Sequence, residues 1–263
     1  MSGEARPRGE ALLDALERGD VRAAWPDAGG TWHVEPWVKE EILAIFRASP
    51  LAAHGRGELR EVWPFVDKAA LPVRAFSPAG TVRLVPGGSA VRRGAHVGEG
   101  VVLMPPSYVN VGAWIGPGAM IDSHALVGSC AQVGARVHVS AGAQIGGVLE
   151  PAGARPVIVE DDCLVGGLCG LFEGVLVRAR AVIGAGVILT ASTPVFDLVH
   201  DRELRGTRER PLEVPPAAVV VPGTRPAGDP RGRARGLAVA CALIVKYRDA
   251  GTDAATRREG DLR

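Results

Sequence analysis

With 263 residues, 47% hydrophobic and 22% charged, the chain has the composition of a folded soluble protein, not a disordered one. Thirty Lys+Arg against 29 Asp+Glu leave a net charge of +1, so no global field gathers nucleic acid or an acidic membrane surface. Glycine stands out at 35 residues, well above the ordinary share of about 7%, and a fold that turns often around small residues is expected.

The four cysteines, Cys130, Cys163, Cys169 and Cys241, form no C-x-x-C pair, and a chain of this length needs no disulfide staples. A reduced, cytoplasmic protein is expected. The opening MSGEARPRGE has no apolar h-region and no run of about 18 apolar residues occurs, so neither secretion nor membrane insertion is expected.

Residues 1–80 are expected to form a small helical N-terminal domain. Ala11, Leu12, Ala15 and Leu16 share one face of a helix over Glu10 to Arg18, and Val38, Ile42, Leu43, Ile45 and Phe46 do so over Pro36 to Ala48. Pro36 suits a first helical turn, and Pro50, Pro64, Pro72 and Pro78 forbid long helices afterwards, so 49–80 reads as loops with short elements.

A six-residue period then takes over. Aliphatic residues recur at Val91, Val97, Leu103, Val109, Ile115, Ile121, Val127, Val133, Val139 and Ile145, each followed four residues later by a small or modest one, from Ala95 to Leu149. The phase resumes at Val159, Val165, Leu171, Val177, Ile183, Leu189 and Val195. Ile145 to Val159 is two residues more than two repeats, so about 150–158 should loop out; a longer excursion, about 196–213, precedes final turns at Val214 and Val220.

Short strands joined by tight turns, three hexads to a coil, stack at roughly 4.8 Å into a prism. Both recurring positions must face inward, and Gly98, Gly116, Gly128, Gly134, Gly146, Gly166 and Gly184 are read as supplying permissive backbone. The prism spans 81–225, and 226–263 reads as a C-terminal cap and tail, in which the apolar run Gly236 to Tyr247 packs on the prism as a strand or short helix.

The Gly-x-Gly pairs fall in one hexad phase and belong to the repeat, not to a phosphate loop. Cys163 and Cys169 take consecutive inward corners as small core residues, and no two of the six histidines lie closer than 14 residues, so no metal site is expected. His124 and His138 are candidate bases set against a bland alternative, solvent-facing histidines on the wall. A dense polar set remains: Asn110, Asp122, His124, Ser129 and Gln132. Asp122 occupies the place after the aliphatic residue where glycine is commonest, a departure that asks for a reason.

The runs MPPSYVNVGAWIGPGAMIDSHALVGSCAQVGARVHVSAGAQIGGVLEP (104–151), VIVEDDCLVGG (157–167), WHVEPWVKEEILAIFR and VACALIVK closely resemble the tetrahydrodipicolinate N-succinyltransferase family of hexapeptide-repeat acyltransferases, over roughly residues 30–247. The resemblance implies a mainly β protein, a left-handed parallel β-helix, assembled as a homotrimer with sites between neighbouring prisms. It implies acyl transfer from succinyl-CoA to the amino group of ring-opened tetrahydrodipicolinate in diaminopimelate and lysine biosynthesis. The alternative is an acetyl-CoA-dependent or other transferase on a related amino dicarboxylate. No tightly bound cofactor is implied, and pantetheine is expected along the prism wall.

Residue by residue, the resemblance implies Asp122 as catalytic carboxylate and Arg83, Asn110, Ser129 and Gly147 as substrate-binding positions. It implies CoA contacts at Ala185, Gly186 and Lys246. One departure stands out: where better-known members of the family carry an Arg-Ser-Glu run, this chain has Leu168, Cys169 and Gly170. Glu173, three residues on, is the expected second carboxylate.

Overall fold

The computed structural model describes residues 6–54, 65–249 and 251. Helices α1 (Glu10–Arg18) and α2 (Pro36–Ala48) form over the stretches expected. On α1 the buried face is Leu12, Leu13, Ala15 and Leu16, with Ala11 exposed. On α2, Lys39 joins Val38, Ile42 and Ile45 in full burial while Leu43 and Phe46 are half-buried. Two short antiparallel pairs complete this region, Ala24–Pro26 with Trp32–Val34 and Leu51–His54 with Phe65–Lys68.

The hexads become two-residue strands, each paired in parallel with the strand one coil away. His96–Val97, Trp114–Ile115, Gln132–Val133, Ile158–Val159, Leu176–Val177 and Glu213–Val214 make the first wall. Arg83–Leu84, Val102–Leu103, Met120–Ile121, His138–Val139, Leu164–Val165, Val182–Ile183 and Val219–Val220 make the second. Ala90–Val91, Tyr108–Val109, Leu126–Val127, Gln144–Ile145, Gly170–Leu171 and Ile188–Leu189 make the third. This is the parallel β-helix expected. We call the edge where the second wall turns into the third the front edge, and that where the third turns into the first the rear edge.

The aliphatic residues and, Leu149 excepted, those four places later fill the interior: Ile115, Ile121, Val127, Val133, Ala131 and Val137 are all fully buried, whereas Leu149, at the start of the first excursion, packs on the N-terminal apolar cluster. The reading of the glycines also needs correcting. The glycine after the aliphatic residue is there for closeness, not for a left-handed backbone. A Cβ on Gly116 would lie 2.6 Å from the Ala135 nitrogen, and one on Gly128 would overlap the backbone of Gly147. The left-handed position comes two residues later, at Gly100, Gly112, Gly118 and Gly142 but also at His124, Cys130, Arg136 and Leu168.

The interruptions also differ from expectation. Gln132 pairs with Ile158, twenty-six residues on, where the coils below pair at eighteen. Eight extra residues therefore enter at a single rear-edge crossing, and no additional strand stands between Ile145 and Ile158. Val195 does not continue the first wall, because Glu213–Val214 already pairs with Leu176–Val177. It opens strand Val195–Asp197, which lies above the second wall beside the C-terminal strand Ala238–Tyr247. That apolar C-terminal run is a strand, antiparallel to Ala218–Pro226; residues 250 and 252–263 of the expected tail lie outside the described residues.

The N-terminal region covers the first wall. Arg22 lies 3.9 Å over the Trp114 ring, which stacks on His96, and its Nε donates to Gln132 Oε1 at 3.0 Å. Burial pulls the Arg22 guanidinium down to about 10. A second apolar cluster of Leu12, Leu13, Val38 and Ile42 closes on Val111 and Cys130 of the rear edge. The Lys39 ammonium, without exposed surface, donates to Ala154 O at 2.6 Å and so ties α2 to the first excursion. Arg155 binds that excursion to the second, donating to Gly174 O, Pro211 O and Glu213.

The second excursion is fixed by Asp197. Burial would push its carboxyl up, but hydrogen bonds from Tyr247 Oη (2.8 Å), His200 Nδ1 (2.9 Å) and Arg202 Nε (2.9 Å) prevail and hold it well below the usual carboxylate range. A carboxyl depressed in the folded state stabilises the fold above its unfolded pKa of about 4, and that stabilisation is lost as pH falls toward the lower folded value. The stability difference between wild type and Asp197→Asn, from urea unfolding, is therefore expected to be full at neutral pH and to shrink steadily below about pH 4; a difference independent of pH would contradict the assignment.

The two kinds of glycine separate in the same assay. Gly128→Ala forces coils apart and is expected to cost about 3 kcal/mol. Gly100→Ala places a methyl where its nearest neighbour is 3.9 Å away and carries only the left-handed penalty of about 1 kcal/mol. Equal losses would refute the close-approach account.

Candidate active site

Each hexad advances one wall, so residues close in sequence separate in space. The dense polar set of the sequence is dispersed accordingly. Asp122 and His124 lie on the front edge, Asn110 and Ser129 on the rear edge, and Gln132 is buried on the first wall under Arg22.

At the front edge Asp122 follows Ile121, and its backbone N–H continues the ladder to Val139 O at 2.9 Å. Its Oδ1 accepts from Ser123 N at 2.8 Å, satisfying a corner donor that the ladder does not reach. Oδ2 lies 3.8 Å from Nε2 of His138, whose side chain is 8% exposed against 29% for Asp122. His138 is thus not the solvent-facing histidine of the bland reading. It stands one coil from Met120 on the second wall, and counting eighteen residues on from Met120 would have found it. His124 is an exposed corner residue with φ 62°.

Arg83 lies on the same wall. Its strand pairs with Val102–Leu103, which pairs with Met120–Ile121, so Arg83, Val102, Met120 and His138 form one outward column running past Asp122. Along the front edge, from Met104 to Gly186, Asp122 is the single carboxylate, and the strands of the two flanking walls add none within these coils. Above it the corners are small apart from Leu168: Ser140, Ala141, Gly142, Gly166, Gly167, Ala185 and Gly186. The N–H groups of Ala141, Gly167 and Ala185 have no hydrogen-bond partner among the described residues. Gly186 N donates to Gly167 O at 2.9 Å, and Lys246 stands away from the edge, opposite Val219, with Nζ 3.4 Å from Asp249 Oδ2.

The rear edge carries the other expected residues. Asn110 Oδ1 accepts from Val111 N at 2.8 Å and from Arg92 at 3.3 Å. Ser129 and Gly147 are stacked in adjacent coils; a Cβ on Gly147 would lie 2.6 Å from Ser129 N. Glu173 follows above them, and its Oε2 accepts from Ala191 N at 3.2 Å. Within one chain, then, Arg83 and Asp122 form one set, Asn110, Ser129, Gly147 and Glu173 another, and the third wall separates them.

The divergent run has a local explanation. Leu168 is a front-edge corner, 74% exposed and left-handed, and Cys169 is an inward core residue. Gly170 faces outward on the third wall, but the ring of Phe172 lies over it and Ile188 Cδ1 would be 2.9 Å from a Cβ there. The space beyond Gly170 is filled, so no larger side chain fits without moving Phe172.

Residues 1–48 match the family model described as tetrahydrodipicolinate N-succinyltransferase N-terminal, and residues 156–191 that described as hexapeptide repeat of succinyl-transferase. A 2,3,4,5-tetrahydropyridine-2,6-dicarboxylate N-succinyltransferase of Rhodopseudomonas palustris (strain BisA53) is 43% identical over 259 residues, covering 97% of this chain and 88% of its own. One of the same name from Bordetella avium is also 43% identical with the same coverage. The chain belongs to the tetrahydrodipicolinate N-succinyltransferase family. Its fold is accordingly the left-handed parallel β-helix of hexapeptide-repeat acyltransferases. A solved structure titled a putative 2,3,4,5-tetrahydropyridine-2-carboxylate N-succinyltransferase from Campylobacter jejuni is 17% identical with a TM-score of 0.47; the alignment covers 94% of this chain and 63% of that one.

Within this family member, Gly170→Glu is expected to lower the melting temperature by several degrees, and the double variant Gly170→Glu/Phe172→Ala to regain most of the loss, measured by thermal unfolding. A single variant as stable as wild type would show that Phe172 does not occupy the site.

Proposed function

We propose that this chain transfers the succinyl group of succinyl-CoA to the amino group of ring-opened tetrahydrodipicolinate, 2-amino-6-oxopimelate. The observation that carries the reading is the isolation of Asp122, a lone carboxylate on an edge of small residues, in a chain 42–44% identical over nearly its full length to relatives named for this activity.

An α-amino group titrates near pH 8 and is mostly protonated at neutral pH. Asp122 Oδ2 orients it and accepts its proton, while Oδ1 stays engaged with Ser123 N. The freed amine attacks the thioester carbonyl carbon. The tetrahedral intermediate collapses by breaking the C–S bond, leaving the amide and the CoA thiolate, which takes up a proton. The unpartnered N–H of Ala141, one coil above Ser123, is at hand for the developing oxyanion. Arg83 offers its fork to a substrate carboxylate. Leu168 and Gly170 place no charge near the acyl group, so a succinyl tail is favoured over acetyl by less than about 10³ in kcat/KM.

The active form in this reading is a homotrimer. Glu173, Asn110, Ser129 and Gly147 reach the front edge only of another copy, and a ring in which each rear edge meets the next front edge closes with three-fold symmetry.

Asp122→Asn keeps the acceptor for Ser123 N, as Asn110 does at its own corner, and is expected to fold normally while kcat falls roughly 10² to 10⁴. Wild-type turnover would remove Asp122 from the mechanism. Mixing Asp122→Asn with Glu173→Gln subunits should restore activity at about a quarter of the sites; mixed trimers without recovered activity, or a monomer by light scattering, would refute the shared site.

A further inference from the structure

Asn110 and Asp122 hold the same place in their coils, directly after an inward aliphatic residue, and both cap the next backbone N–H. They differ in what else reaches the cap. Asn110 Oδ1 accepts from Val111 N at 2.8 Å and also from Arg92 Nη1 at 3.3 Å. A backbone N–H and a guanidinium can only donate, so the atom they share is the amide oxygen, and the orientation of the side chain is settled. The other end, Nδ2, has no hydrogen-bond partner among the described residues and is not sealed from solvent. The rear edge therefore presents an amide donor outward, where the front edge presents the second oxygen of Asp122.

Arg92 is itself held from two further sides. Its Nη2 pairs with Asp67 Oδ2 at 2.5 Å, and its guanidinium lies 4.9 Å over the Phe46 ring, so that only 11% of the side chain is exposed. Asp67 belongs to the hairpin strand Phe65–Lys68 and Phe46 to α2. The N-terminal region thus grips the rear edge through a guanidinium that cannot swing away. One hydrogen bond from Val111 N would leave the plane of the Asn110 amide free to turn about it. The second, from Arg92, fixes that plane and with it the direction of Nδ2.

We infer that Asn110 binds the α-carboxylate of the acceptor, the one beside the reacting amine, with Arg92 as its positioning residue, an assignment that rests on the proposed reaction and its homotrimer. Cyclic symmetry rotates a subunit without raising it, so levels along the prism are shared between copies. A coil takes eighteen residues, as the pairing of Met120 with His138 shows, and rises about 4.8 Å. Asn110 precedes Asp122 by twelve residues and Gly128 follows it by six. These two rear-edge corners therefore stand about 3 Å below and about 2 Å above the level of Asp122 of the partner subunit. An amine held by that Asp122 carries its carboxylate on the adjacent carbon, within this span. The Asn110 amide meets the carboxylate as a neutral donor, since the charge of Arg92 is already matched by Asp67. Arg83, on the strand two coils below Met120, is left for the far carboxylate.

The test is steady-state kinetics of the full chain with succinyl-CoA and 2-aminopimelate, and with 6-aminohexanoate, the same acceptor without its α-carboxylate, as competing inhibitor. Asn110→Ala is expected to raise KM for 2-aminopimelate about 10- to 100-fold, the worth of a hydrogen bond to a charged group, while KM for succinyl-CoA stays unchanged. Asn110→Asp keeps the cap on Val111 N and should bind the acceptor more weakly still, because its outward oxygen repels the carboxylate. Arg92→Met should raise the same KM by less than Asn110→Ala does, and Arg92→Lys, which can still donate to Oδ1, should recover part of the loss. The inhibition constant of 6-aminohexanoate should stay within about twofold of wild type in all four variants, because the group that Asn110 binds is missing from it. A rise in that constant parallel to KM, or an Asn110→Asp variant that binds 2-aminopimelate as tightly as Asn110→Ala, would overturn the assignment while leaving the acyltransferase reading intact. A wild-type chain that does not succinylate 2-aminopimelate would overturn both.

Discussion

Contact between successive coils at the corners governs everything else in this molecule. Each coil donates its strand N–H groups to the coil beside it, and where Gly98, Gly116 and Gly166 turn the corner there is no volume for a Cβ. The position after the aliphatic residue is therefore held by a small residue in most coils, at fixed spacing along each edge. Any side chain placed on one stands out, chemically as well as sterically. Asp122 is such a side chain, and it is tolerated because its carboxylate folds back onto the next N–H and satisfies a donor the ladder leaves over. The same local solution occurs at Asn110, so the cap by itself is structural; what distinguishes Asp122 is its second oxygen, its neighbour His138 and the absence of other carboxylates along its edge.

The prism was almost fully legible in the sequence, because a period of six with an aliphatic residue at every repeat admits few other folds. Both N-terminal helices were equally legible from their apolar faces. The excursions were harder. Fourteen residues from Ile145 to Val159 divide as readily into two repeats and two extra residues as into one repeat and eight, and only the pairing of Gln132 with Ile158 decides between them. Val195 kept the phase although its strand leaves the first wall: its side chain joins the same apolar interior, but its backbone pairs with strand Ala238–Tyr247. Sequence pattern reports that a residue is inside, not which strand it pairs with.

The site was legible as a set of residues and not as a place. Asn110, Asp122, Ser129 and Gln132 are near neighbours in the chain, yet the rotation of the coil sends them to two edges and a wall. Gln132 proves to serve the docking of Arg22, and Lys39, which reads as an ordinary polar residue on α2, is buried against the first excursion. Gly170 is the reverse case. Judged against the family it is a missing carboxylate; in the fold it is the floor beneath Phe172, so the change at 170 and the aromatic at 172 belong together.

A stack of coils in contact only with their neighbours would lose structure from its ends, one rung at a time. Arg155 alters that behaviour. By gripping Gly174 O, Pro211 O, Leu212 O and Glu213 from a loop that Lys39 also holds, it makes the N-terminal helices, the middle coils and the C-terminal excursion share one knot. Fraying at the upper coils must undo contacts reaching back to α2, which turns a linear zipper into a latched unit and joins its parts in a single opening event.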